Sequence, residues 1–393
     1  MTGSDNLLYC NFVTYKGRRW FWSINFNALF SADMEWRFAK KIGKYAGCAG
    51  SDYTNTVLYQ GKLILLPGMA RRIMIFDIES NVFRFIELVE MEGIEQTEKN
   101  LFYGYAIKDE ILFMIGNQIP CLLKFNMKTE QIENAVNLFP EEEKREIYFR
   151  DAIIDQKQLV IPAFEDDLLF EVNTDTLQWT RRHMKHTESG FSSICKAGDS
   201  VWLLPREKDP VIQWCRQTDI MTEHEMKRAG YQYIPMQINF HSGIYLDNKI
   251  WIFPFFGSSV FSINLNTSEI SGENAINRYL DGIDLLHGQC IFRAVQEEAG
   301  SIYLLCCASG IGELLLYDPG EDRLKKIEKN IEIPKSDCLA YMYYSGIPVV
   351  NEEEYPLEDF LCFLKEYTAE KADGKQQKAD TYGHRIYEAV KNS

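Results

Sequence analysis

The sequence contains no C-x-x-C pair, no apolar run of membrane-spanning length and no stripe of basic residues, and each absence removes a class of protein. The longest apolar stretches, such as IWIFPFF at 250–256, reach only about a third of the ~20 residues that a spanning helix needs, so no membrane span is expected. Lys and Arg number 42 against 57 Asp and Glu, a net charge of −15, which repels a phosphate backbone and argues against nucleic acid as a partner. The segment MTGSDNLLYCNF lacks a basic stretch followed by an apolar one, so no signal peptide is read there and a cytoplasmic location is expected. Ten cysteines without metal or redox spacing read as reduced, packed thiols. His183 and His186 stand three apart on an outer strand or loop and would not form a helical metal pair, so no metal is expected. There is no G-x-S-x-G elbow, H-E-x-x-H helix, G-x-x-x-x-G-K-S/T loop, G-x-G-x-x-G turn or acidic calcium loop, and no cofactor is expected.

What the sequence does contain is a repeat of about 47 residues. Its anchor is a short apolar strand ending at Ser23, Pro67, Gly116, Pro162, Pro205, Pro254 and Cys306. An aromatic stands fourteen residues before six of these anchors: Tyr9, Tyr53, Phe102, Tyr148, Phe191 and Phe240. The seventh copy breaks this register, which the stretch QEEAG at 296–300 would explain by lengthening its first hairpin. Turn pairs precede most anchors: Gln60-Gly61, Asp109-Glu110, Asp155-Gln156, Gly198-Asp199 and Asp247-Asn248. A third apolar run then closes on Asp33, Asp77, Asn126, Asn173, Asn264 or Asp318, residues whose side chains cap a tight turn, and a more polar fourth run follows. Four antiparallel strands repeated seven times predict an all-β fold, a seven-bladed β-propeller, because one blade cannot bury both of its faces but a ring of blades can. The propeller is expected over 1–345. A helical tail is expected over 346–393, with amphipathic helices at 356–367 and 383–391 around a polar linker; the first could dock a partner. A strand at 337–345 pairing into the first blade would close the ring.

The segments LYQGKLILLPGMARRIMIFDIESNVFRFIEL at 58–88 and VNTDTLQW at 172–179 resemble the Kelch family of propellers in their order of hydrophobic strand, loop, aromatic-Asp, turn Ser or Thr, then Trp. The paired glycines of a typical Kelch blade are here Pro67-Gly68, Gly116-Asn117 or proline alone. The resemblance implies a binding platform in most cases and an enzyme, such as a galactose oxidase or a sialic acid mutarotase, in a few. The tyrosine and histidine copper ligands of the oxidases find no counterpart here.

In a propeller the loops into the inner strands and those joining second to third strands surround the channel mouth, where ligands bind. The repeat places Asn11, Asn55, Tyr103, Arg150, Asp151, Ser193, His241 and Ser242 at the starts of inner strands, and Arg71, Arg72, Glu165, Asp166, Arg206 and Lys208 in the second set of loops. Arg71, Arg72 and Arg150 together could hold a carboxylate or phosphate by forked hydrogen bonds. Arg150 and Asp151 could equally be a local ion pair. His241 is the histidine best placed for acid-base work, and His287 shares its position before an inner strand. Two functions follow. The first is a non-enzymatic platform that binds a protein, a polar or anionic small molecule or a glycan through residues such as Arg71, Arg72, Tyr103, Arg150, Arg206 and His241. The alternative is a cofactor-free carbohydrate-active or sugar-acid enzyme (epimerase, lyase or hydrolase) in which His241 and Arg150 converge with Asp151 or Glu165.

Overall fold

The computed structural model describes residues 7–42, 51–88, 99–140, 143–187, 189–208, 210–226, 237–257, 259–283, 290–308, 312–328 and 330–332. They form seven sheets, each built from four consecutive antiparallel strands, and each sheet is one blade of a β-propeller. The blades span 13–42, 53–87, 102–137, 153–183, 191–224, 240–271 and 292–327.

Each strand's sequence suits its radial position. Second strands such as Lys62–Pro67 and Ile111–Gly116 are apolar on both faces and buried, because each face meets another blade. Fourth strands such as Val82–Glu87 and Gln131–Asn137 lie at the rim and are largely exposed. Seven apolar clusters result, each shared by two neighbouring blades. Ile64, Leu66, Ile73 and Ile75 of blade 2, for example, pack on Leu112, Met114, Leu123 and Phe125 of blade 3. Each such side chain contributes about 1.5–3 kcal/mol of burial, so the interfaces between blades carry the stability of the ring.

The first hairpins turn on two residues. Tyr59 pairs with Lys62 around Gln60-Gly61, and both turn residues have positive φ (48° and 78°), as a type I′ turn requires. Asp109-Glu110, Gly198-Asp199 and Asp247-Asn248 also occupy the predicted turns. In blade 4 the turn is Gln156-Lys157, one residue later than expected, since Asp155 pairs with Gln158. The same blade anchors on Phe149, bridged to Ala163, in place of Tyr148 with Pro162. The seventh copy does not break register: Phe292 pairs with Cys306 and Ala299-Gly300 forms the two-residue turn between Glu298 and Ser301. The stretch QEEAG is therefore ordinary hairpin, with no insertion. The Asp and Asn residues that end third strands cap their turns as expected. Asn126 Oδ1 accepts from the backbone of Lys128 and Thr129, both at 3.0 Å, and Asn173 Oδ1 from Asp175 and Thr176 at the same distance.

Blade 1 draws four strands from its own repeat, and a strand from beyond blade 7 joins it where the ring closes. Past the outer strand of blade 7, Asn330–Glu332 adds to blade 1 as a fifth strand, parallel to Phe38–Ile42. Inside the ring, Gln296 of blade 7 accepts from Phe12 N at 3.0 Å and donates to Phe12 O at 2.9 Å. Arg19, 2% exposed, donates to Glu298 at 2.7 Å and to Tyr303 Oη at 2.5 Å, across the same interface. One short helix, Ala275–Leu280, was not expected; Asn274 caps it, accepting from Asn277 N at 2.9 Å. Residues 337–345, the helices at 356–367 and 383–391 and His287 lie outside the described residues.

Candidate functional site

The site is made by a repeated irregularity. At the start of the inner strand the pairing slips in blades 2, 3, 5, 6 and 7, so that Phe102, Phe191, Phe240 and Phe292 pair normally while Tyr103, Ser192, His241 and Arg293 are each extra. A bulge turns the extra residue out of the ladder. Cys10 follows Tyr9 in blade 1, Thr54 follows Tyr53 in blade 2 and Arg150 follows Phe149 in blade 4 at the equivalent positions. Cys10, Tyr103, Arg150, Ser192 and His241 line one cavity of about 500 Å³ at the centre of the ring, together with Asn11, Asn55, Asp151, Ser242 and Gln296.

Several of these polar groups hold the ring together. Asn11 donates to Thr56 O at 2.9 Å and accepts from Thr56 N at 2.8 Å, joining blade 1 to blade 2. Asn55 donates to Tyr103 O at 2.6 Å, joining blade 2 to blade 3. Asp151 accepts from Ser193 Oγ at 2.8 Å and Ile194 N at 3.3 Å, joining blade 4 to blade 5. Burial raises its carboxyl above the usual range, and these bonds pull it back only in part. The expected pair of Arg150 with Asp151 does not form; the carboxylate faces blade 5.

Other groups are left over. The guanidinium of Arg150 lies 5.1 Å from the ring centre of Tyr103, 5.3 Å from Phe255 and 5.6 Å from Phe164, and it reaches the Tyr103 hydroxyl. Arg293 lies close to the same Tyr103 and Cys10 side chains, though it does not itself line the cavity. Among the described residues neither arginine has an ion-pair partner, and nearby loop carboxylates are taken: Asp166 by Arg145 and Glu207 by Arg206, both at 2.7 Å. His241 Nε2 lies 3.2 Å from Arg293 O, a group that can only accept, so Nε2 carries the proton and Nδ1 presents a bare lone pair. Nδ1 is buried and finds no donor, and Ser242 Oγ and Arg293 Nε are likewise buried without a partner. Burial, with the Arg150 charge beside it, lowers the His241 pKa to about 3, so the ring is neutral at physiological pH. It stacks on Phe255 at 5.6 Å and 13°.

The remaining expected residues lie elsewhere. Arg72 sits over Phe85 at 4.2 Å and 3.9 Å from Glu87, on the outer strand of its own blade, and neither it nor Arg71 lines the cavity. The cluster of Arg71, Arg72 and Arg150 does not form around this cavity. Glu165 accepts from Ile147 N at 3.0 Å within its own blade and does not join His241. Arg206 stands 5.5 Å from the ring centre of Phe164, and Lys208 is exposed. His183 and His186 pair separately with Asp167 and Glu223, and the described residues hold no metal cluster. Arg293 was missed, yet its signal was present: Phe292 stands fourteen residues before Cys306, as the other aromatics stand before their anchors.

No family model and no curated protein matches the chain. Solved structures do. Virginiamycin B lyase from Staphylococcus aureus superposes with a TM-score of 0.59 at 11% identity, over 79% of this chain and 94% of that one. The computationally designed Ika8 protein gives 0.55 at 11% identity, over 83% and 89%. BamB from Moraxella catarrhalis gives 0.50 at 12% identity, over 79% and 85%. At such identities the likeness is one of fold, and what this chain shares with these structures is the β-propeller itself.

Proposed function

We propose that this propeller is a non-enzymatic binding module that takes a small hydroxylated anion, a carboxylate or a phosphate, into the mouth of its channel. The observation that carries this reading is the convergence of Arg150 and Arg293 on one set of side chains, with no ion-pair partner for either among the described residues. Two forked cations in a low-dielectric ring favour an anion strongly. The buried Nδ1 of His241, which has no donor, would serve a ligand hydroxyl as acceptor, and Phe164 and Phe255 flank the Arg150 guanidinium. The cavity of about 500 Å³ suits a small molecule. The Kelch subtype suggested by residues 58–88 and 172–179 and a cytoplasmic location are parts of the same proposal.

A thermal-shift and calorimetric screen of sugar acids, sugar phosphates and hydroxy acids tests it. Binding that is lost in both Arg150→Ala and Arg293→Ala is expected; binding that survives both substitutions, or no binding across the panel, overturns it. A second reading, acid-base catalysis without a cofactor, draws on the neutral His241, a residue of the cavity lining whose buried Nδ1 has no donor. It is the weaker one, because Asp151 is committed to blade 5 and Glu165 to Ile147, leaving His241 without a carboxylate partner. Turnover of any bound ligand that is abolished in His241→Gln would reverse this ranking.

A further inference from the structure

Beside the anion site lies a thiol pair that anion binding does not use. Cys290 precedes the inner strand of blade 7, Phe292–Glu298, and Cys307 follows the second strand, Ser301–Cys306. Phe292 pairs directly with Cys306, and Cys307 N donates to Ile291 O at 2.8 Å, so the hairpin's open end sets Cys307 across from Ile291, the neighbour of Cys290. Their side chains are hydrogen-bonded to each other. Both are half-buried, whereas Cys121, Cys195 and Cys306 are buried within the ring. Cys10 spends its thiol on Tyr103.

From this juxtaposition we propose that Cys290 and Cys307 are a redox pair that closes to an intramolecular disulfide by exchange with small disulfides. In the first step the Cys290 thiolate attacks one sulfur of the small disulfide, forms a mixed disulfide and expels a thiolate that takes up a proton. In the second, the Cys307 thiolate attacks Cys290 Sγ and expels the other half as a thiol. The protein loses two hydrogens and two electrons, and the small disulfide is reduced to two thiols. The chemistry of the site favours this order. The hydrogen bond from Cys307 holds the Cys290 thiol below its ordinary pKa, with Arg293 and Arg150 adding positive charge, while Cys307 is shifted upward by the same bond. Cross-strand thiols already in contact need little backbone movement to reach bonding distance. The bridge would pin the start of the strand that carries Arg293 three residues further on.

The test uses the reduced full chain incubated with oxidised glutathione, alkylated and mapped by mass spectrometry. The expected product is a peptide pair joined through Cys290 and Cys307, two hydrogens lighter than its reduced parts and separated again by dithiothreitol. Cys307→Ser should leave glutathione trapped on Cys290, and Cys290→Ser should leave Cys307 unmodified. Wild-type protein that stays folded, by near-ultraviolet circular dichroism, with both cysteines alkylated singly overturns the proposal, as does a bridge from either to another cysteine. Arg150→Ala, which should abolish anion binding, should leave the bridge in place, so the two proposals fail separately.

Discussion

Acid should destabilise this propeller through His241, and replacing that residue should remove the effect. The fold accommodates only the neutral imidazole: Nε2–H donates to Arg293 O, the Arg150 guanidinium is close, and no acceptor awaits a second proton. Its pKa is therefore about 3 in the folded state against an ordinary 6.5. A depressed histidine pKa means that the unfolded chain binds the extra proton first, so stability is intact above 6.5 and is lost as pH falls from there toward 3. At about pH 5 the loss amounts to about 2 kcal/mol, and water entering the cavity trims it to about 1–2 kcal/mol. Asp151 acts in the opposite sense, since its raised carboxyl pKa lets the folded state take up a proton more readily on acidification. The difference between wild type and His241→Gln cancels that contribution, because glutamine keeps a donor for Arg293 O and has no charge to gain. Urea unfolding at about pH 7.5 and about pH 5 should show the wild type losing about 1–2 kcal/mol more than the variant. Equal losses would show that the imidazole is protonated in the folded state, and the assignment of a bare Nδ1 would fall with it.

Three further substitutions test the ring. Arg19→Ala leaves Glu298 and Tyr303 facing a gap at the closing interface and should cost about 3 kcal/mol in urea unfolding, with Glu298→Gln costing less. Gly104→Ala would place a methyl group 2.6 Å from Arg150 O, a backbone atom of the next blade; it should lower stability by about 1–3 kcal/mol and weaken anion affinity in calorimetry by displacing Arg150. Gln60→Asn supplies the residue that best tolerates the φ of 48° before Gly61, and should raise stability by up to about 0.5 kcal/mol, read as a higher denaturation midpoint.

The ring was legible because its elements announce themselves locally. An apolar strand, a two-residue turn and, in all blades but the fifth, an Asp or Asn at the end of the third strand recur in the same order around the ring. Where the local chemistry was unusual the sequence misled. In blade 5 the position of the turn cap is Cys215, whose sulfur takes hydrogen bonds from the side chain and backbone of Thr218, a role that a reader reserves for Asp or Asn. In blade 4 neighbouring aromatics, Tyr148 and Phe149, both fit the pattern, and only the pairing with Ala163 decides between them. In blade 7 the acidic run before Ala299-Gly300 looked like an insertion because its glutamates are not strand formers. They are tolerated there because Glu298 is bound by Arg19 of blade 1, a partner far away in sequence.

The site was legible only to the extent that facing the channel follows from register. Tyr103, Arg150, Asp151 and His241 reach one cavity for that reason, and Arg293 was lost by the same reasoning once blade 7 was set out of register. Arg72 failed differently: it begins a third strand, so its side chain answers to Glu87 across the strand and not to the channel. Harder still is the division of labour among residues that do face inward. An asparagine bonded to the next blade's backbone and one offered to a ligand are the same letter, and Asn11 and Asn55 prove to be the former. What separates them is whether hydrogen-bonding capacity is used up. Asn11 and Asp151 spend theirs on neighbouring blades. Arg150 has five donors and is surrounded mainly by aromatic faces that accept poorly, and His241 keeps a buried lone pair without a donor. Buried polar groups are almost always satisfied, and these unspent groups are the ones that the proposed ligand would complete.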